Sequence, residues 1–171
     1  ATAINAGEGF TMKGTSGTDA TIAQAAENVQ NNSGSRQRYD FRGKPNDGTI
    51  SVPVSNGNFT LVGNPYPSAI DLDLYLLDPA NAALIDGVAY YWEQSVVNTH
   101  ILNQYQGGYG KYTASGGYLP ADIWTYNGDG TYNTDTGANG NVYQRRFTPI
   151  GQGFMVKGIA AGNVTMKNSF R

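Results

Sequence analysis

GQGFMVKG, residues 151–158, decides how this chain is read, because a near copy, GEGFTMKG, stands at residues 7–14. Both octets carry Gly at the first, third and eighth positions, Phe at the fourth and Lys at the seventh. In each, apolar side chains fall on alternate residues, Phe154 with Val156 and Phe10 with Met12, and Lys157 or Lys13 points the other way. That period of two belongs to a half-buried strand. The G-x-G of each copy also fits a phosphate-cradling loop, but the third Gly is misplaced for one and no helical pattern follows. The octets are therefore expected to be equivalent strands of one core, even paired neighbours, with Phe10 and Phe154 both buried.

Further strands follow outward from these. Ile50–Val54 alternates, Ser55–Asn58 is a turn signal, and Phe59–Val62 reads as the return strand of a hairpin. Pro53 places its strand at an edge, or sets its missing N–H where no partner is needed. Residues 89–92, 123–126 and 164–167 are further strands, the first two rich in aromatic rings. Helical signals are few: about two turns over Thr21–Val29, and N-caps at Ser68-x-x-Asp71 and Asp78-Pro79. The Gly/Tyr/Asn segments 103–118 and 127–141 read as loops or loosely paired hairpins. The expected fold is mainly β, an antiparallel β-sandwich of jelly-roll type. It has long Gly/Tyr/Asn-rich loops and one or two short helical turns, in one domain over 1–171.

Composition narrows the function classes. At 171 residues a single domain buries roughly 70% of its unfolded surface. Lys plus Arg is 11 and Asp plus Glu is 13, a net charge of −2, which gives no electrostatic case for nucleic acid or an anionic membrane. Cysteine is absent, so disulfides, thiolate nucleophiles and zinc-thiolate sites are excluded together. No apolar run approaches the 18 residues of a membrane helix, and membrane insertion is not expected.

The most distinctive stretch is LVGNPYPSAID, residues 61–71. With AYYWEQ, QYQGGYGKY, YQRRFTPIGQGFMVKG and GNVTMKNSFR, it resembles a β-rich module of large secreted Bacteroidota surface proteins that carry type IX secretion sorting domains. The resemblance runs from about Gly7 to Arg171. It implies an extracellular, cell-surface module found beside adhesin-like repeats, and it implies no chemistry. The resembling modules continue upstream, so the chain is expected to begin inside the domain. That would leave an N-terminal sheet edge to be filled by neighbouring sequence or another copy. Within the motif, residues 64–68 are expected to form a turn with Tyr66 packed inward and Ser68 capping a helical turn.

Catalytic readings fare poorly. His100 is the single histidine, and no G-x-S-x-G elbow presents Ser68 as a nucleophile. Asp71, Asp73 and Glu93 are the candidates for a glycosidase pair. No enzyme and no cofactor are expected, calcium apart. The segment 127–135 (NGDGTYNTD) sets oxygen-bearing side chains at alternate positions, which makes Asp129, Asn133 and Asp135 the candidate calcium ligands. A hairpin tip of residues that tolerate positive φ explains the same letters. Trp92, Trp124 and Tyr126, with Tyr109, Tyr112 and Tyr118, are the candidate glycan platform; packing over thin Gly strands is the other reading. The expected function is a non-catalytic structural or adhesive module, with filament assembly as one form of it and carbohydrate binding as the alternative. Its expected partners are neighbouring modules or identical copies, and surface glycans.

Overall fold

The computed structural model describes residues 4–11, 44–95 and 101–171. The chain divides into two compact units, residues 1–10 with 46–171 and residues 11–45. The first carries every element below. Its strands are β1 (Ile50–Val54), β2 (Phe59–Gly63), β3 (Ile70–Asp71), β4 (Ala89–Gln94), β5 (Gln106–Thr113), β6 (Gly117–Leu119), β7 (Asp122–Tyr126), β8 (Tyr132–Asn139), β9 (Phe147–Thr148), β10 (Gly153–Lys157) and β11 (Gly162–Met166). Two short helices, α1 (Leu72–Leu77) and α2 (Pro79–Ala82), sit between β3 and β4.

The large sheet has the order β2-β10-β4-β5-β7-β8, with β6 also on β5, and all its pairs are antiparallel. β1 pairs with β11 and β3 with β9 as separate ribbons. The protein is mainly β, antiparallel and sandwich-like, as the period of two implies. Segments 103–118 and 127–141 are better ordered than loops: they supply β5, which holds β4, β6 and β7, and the whole of β8. The helix expected at Thr21–Val29 lies outside the described residues.

β1 and β2 do not form a hairpin. Each pairs instead with a strand from the C-terminal end, β1 with β11 and β2 with β10. The turn at Ser55–Asn58 and the bend after Lys157 run side by side, tied by Gly57 N–H to the Gly158 carbonyl (2.8 Å) and Gly158 N–H to that of Asn58 (2.9 Å). Together they carry the ribbon from one layer into the other, as strands do at a sandwich corner. A side chain at Gly158 would strike the backbone of Ser55, so the last Gly of GQGFMVKG is a close-approach residue.

Between the layers lies the core. Val52, Val54, Val164 and Met166 of the β1–β11 ribbon face Val62, Phe154, Val156, Ala89, Tyr91 and Tyr112 of the sheet. Leu72, Tyr75 and Leu76 of α1 close the same cluster. The two octets part company here. Phe154 is 1% exposed, but Phe10 is 50% exposed and lies outside any strand. The copies flank β2 on opposite sides and are offset: Val62 is the partner of Phe154 on one side and of Glu8 on the other. Glu8 thus takes the position that Phe154 holds, and Phe10 falls beyond the last bridge. Gly9 N–H and the Gly7 carbonyl bond β2 at Leu61 and Gly63, so this edge is covered by the chain's own residues. What the copies do share is an opening Gly at positive φ, +87° at Gly7 and +72° at Gly151.

The Asn-Pro-Tyr-Pro-Ser segment is an ordered turn after β2, and Tyr66 packs inward, 1% exposed, its hydroxyl donating to the Gly48 carbonyl (2.6 Å). Ser68 does not cap the helix; its hydroxyl is buried without a hydrogen-bond partner among the described residues. Asp71 caps α1 instead, accepting from Asp73 N–H (2.9 Å). Asp78 caps α2 ahead of Pro79, as the sequence implies.

Tyr75 lies fully buried between Phe154 and Phe170, edge-on to each at 5.5 and 6.1 Å, and its hydroxyl has no partner among the described residues. Burial pushes its phenol far up. Tyr75→Phe removes a desolvated hydroxyl and keeps the ring, so urea unfolding should show stability unchanged or raised by about 1 kcal/mol. A clear loss would mean that the hydroxyl has a partner after all.

Candidate ligand-binding face

The alternation that fills the core leaves the opposite face of the large sheet aromatic. On β4, Ala89 and Tyr91 point inward and Tyr90 and Trp92 outward; on β5, Tyr112 points inward and Tyr109 and Lys111 outward. Register then aligns the outward set across strands: Met155 opposite Tyr90, Tyr90 opposite Lys111, Trp92 opposite Tyr109, Lys157 opposite Phe59. On β7 the outward positions are Asp122, Trp124 and Tyr126, and β8 adds Tyr132 opposite Tyr126.

A groove of about 460 Å³ runs over this face, walled by Phe59, Tyr90, Tyr109, Trp124 and Tyr132. Met155, Lys111, Lys157 and Asp122 complete it. It crosses from β2 to β8, five strand spacings or roughly 24 Å. Trp92 packs beside it, 5.1 Å from Tyr109 and 5.6 Å from Tyr126, and Trp124 and Tyr126 meet Tyr132 at 5.2 and 5.4 Å. The rings are tilted by 35–66° to one another, a herringbone and not a flat coplanar row. A side chain at Gly107 would run into the Trp92 ring, so the indole rests on a bare Gly backbone. Packing over thin strands and presenting an aromatic face are here the same arrangement.

Each candidate of the platform can now be placed. Trp92 is 38% exposed and Trp124 half-buried. Tyr126 is only 8% exposed, so it supports the face from beneath and does not meet a ligand; its hydroxyl donates to the Gly107 carbonyl (3.2 Å) and burial pushes its phenol up to about 12. Tyr112 and Tyr118 sit on the other side of the sheet. Tyr112 is in the core with its hydroxyl on Asp73 (2.6 Å), and Tyr118 lies over Gly110 with its hydroxyl on Glu93 (2.5 Å).

The carboxylates are otherwise engaged. Glu93 is 8% exposed and also accepts from Ala121 N–H (3.1 Å) and Asn141 N–H (2.9 Å), which clasps the segment after β8 onto the sheet. Arg145 from that segment stacks on Tyr91 and Tyr143, each 4.5 Å away. Asp71 is held by Arg146 (2.8 Å), whose hydrogen bonds are the main cause of its carboxyl lying below the ordinary range. Asp73 lies 3.3 Å from the same guanidinium. None of Asp71, Asp73 and Glu93 lines the groove, where Asp122 is the one carboxylate among the described residues. His100 lies outside the described residues.

The calcium candidates each have a local hydrogen-bond partner. Asp129 accepts from the Thr131 N–H (2.9 Å) and hydroxyl (2.7 Å), which lowers its pKa. Asn133 accepts from the Thr134 hydroxyl and Asp135 from Gly137 N–H. Each of these bonds is made within the β7–β8 hairpin, and no cluster of three His, Cys, Asp or Glu side chains exists among the described residues. Asp129 sits in the turn, and Asn133 and Asp135 lie on β8.

A family model spans residues 1–171 in full. The chain belongs to the family described as Domain of unknown function (DUF8693). No curated protein and no solved structure matches it. Among the described residues no helix of this family member is long and apolar enough to cross a membrane.

Sequence reasoning found only Tyr109 and Trp124 of the groove's lining. Phe59, Tyr90, Lys111, Asp122, Tyr132, Met155 and Lys157 also belong to it. Within single strands the signal was present, since Tyr90 shares its parity with Trp92 and Lys111 with Tyr109. The pairing that joins them across five strands was not.

Proposed function

We propose that this domain is a non-catalytic adhesive module of a secreted bacterial cell-surface protein, and that it holds carbohydrate on the aromatic face of its large sheet. One observation carries the reading: aromatic rings from β2, β4, β5, β7 and β8 converge on a single open groove. The C–H faces of sugar rings are apolar and their rims polar, which suits aromatic faces edged by hydroxyls and charges. The resemblance to surface modules of Bacteroidota supports the extracellular setting. Among the described residues the groove carries one carboxylate, where glycoside hydrolysis needs two, and this supports binding without turnover. On a glycan array, run with and without calcium, the wild type should retain glycans that Trp124→Ala loses by about tenfold or more. Retention by the variant equal to the wild type would remove the assignment.

A structural role has one observation of its own. All eight residues of β8 are exposed, and its outer edge has no partner strand among the described residues. Such an edge is a template for strand addition between copies. Register shifts against β7 oppose this by kinking the strand. Light scattering tests it: assembly that grows with concentration supports strand addition, and a monomer at high concentration excludes it.

A further inference from the structure

We infer that the glycan is an acidic polysaccharide carrying uronate carboxylates on separate sugar residues, an inference that rests on the carbohydrate reading above. Its basis is the pairing state of the cations. Among the described residues of this unit, Lys167 is bonded to Asp78 (2.6 Å), Arg146 to Asp71 (2.8 Å), and Arg171 lies 3.9 Å from Asp47. Arg145 is stacked among tyrosine rings. Lys111 and Lys157 differ. Both are exposed, both line the groove, and among the described residues neither ammonium makes a hydrogen bond or ion pair; the Lys157 side chain only overhangs the Phe59 ring, 5.8 Å from its centre. The whole chain is net negative, yet its groove carries two cations against one anion. That anion, Asp122, has the Asn139 amide beside it (3.2 Å).

Unpaired cations between apolar walls focus a positive potential into the groove and favour a ligand of opposite sign. Register sets their spacing. Tyr90 stands level with both Met155 and Lys111, and Lys157 lies two residues beyond Met155. Two strand spacings across and two residues along separate the lysine backbones by roughly 12 Å. Ammonium groups carried on backbones that far apart suit charges spaced along an extended chain. Five aromatic rings to two lysines suit sparse charge and apolar sugar faces, which favours a uronate chain over a densely sulfated one.

The test uses the full chain and matched polysaccharide pairs: hyaluronate, polygalacturonate and alginate, each beside its carboxyl-reduced form. Isothermal titration should show at least one acidic member bound about tenfold more tightly than its reduced partner, with the preference shrinking as salt rises. The double variant Lys111→Gln/Lys157→Gln, checked for folding by circular dichroism, should lose that preference and bind the acidic and reduced forms alike. Equal affinity for charged and reduced chains would overturn the acidic ligand and leave the carbohydrate reading intact. Binding of none of the six would overturn both. A preference that survives the double variant, or equal competition by a single-stranded oligonucleotide, would also overturn it.

Discussion

Phe154→Ala is expected to destabilise the protein by about 3–5 kcal/mol, and Phe10→Ala by no more than about 0.5 kcal/mol, although the two residues hold the same place in a repeated octet. Phe154 is 1% exposed, edge-on to Tyr75 at 5.5 Å and 6.1 Å from Tyr91. Deleting its ring leaves a cavity walled by α1, β4 and β10, elements too tightly interlocked to collapse around it. Phe10 is half exposed and past the last bridge to β2, so its loss empties no space in the core. Urea unfolding of the two variants under one protocol measures the difference. Equal losses would mean that the octets are structurally equivalent and that the offset across β2 is wrong.

Asn64→Ala should cost about 3 kcal/mol, an effect as large as many core deletions. Asn64 is 7% exposed and its amide nitrogen reaches the carbonyls of Ser68 (2.8 Å), Thr148 (3.1 Å) and Pro149 (3.2 Å). Its side-chain oxygen accepts from Tyr66 N–H (3.0 Å). One residue therefore joins the Pro-Tyr-Pro turn to the strand β9 and to the approach to the second octet. Truncation strands a buried N–H and removes the donor to those carbonyls, which is costlier than the bonds themselves. Asn64→Asp is the informative companion, since it keeps the acceptor and loses the donor. Thermal unfolding should rank wild type above both variants, and an unchanged melting temperature for Asn64→Ala would show that the turn holds without its staple.

Much of this was legible in the chain. The period of two in Phe154–Lys157, Ile50–Val54 and Ala89–Trp92 is set by the backbone, so each strand's inward and outward residues can be read without a partner. The opening glycines of the octets, the Asp78-Pro79 cap and the inward Tyr66 are equally local. Local logic failed where alternatives were close. Ser68 and Asp71 both suit an N-cap, and the helix starts after the second because Asp71 is also drawn into β3 opposite Phe147. The turn at Ser55–Asn58 suits a hairpin as well as a corner, and nothing in those four letters says which strand waits on the far side.

The sequence by itself determined that the protein is β, which residues of each strand share a face, and which motif turns the chain after β2. It also set the supply of rings and of lysines. Tertiary structure alone decided that Phe59, Tyr90, Tyr109, Trp124 and Tyr132 share one groove, that Lys111 and Lys157 enter it together, and that the octets fall on opposite sides of β2 out of step. The physical reason is range. Alternation and capping are fixed by neighbours a few residues away, whereas register and layer are fixed by the packing of residues about a hundred positions apart, as in β1 with β11.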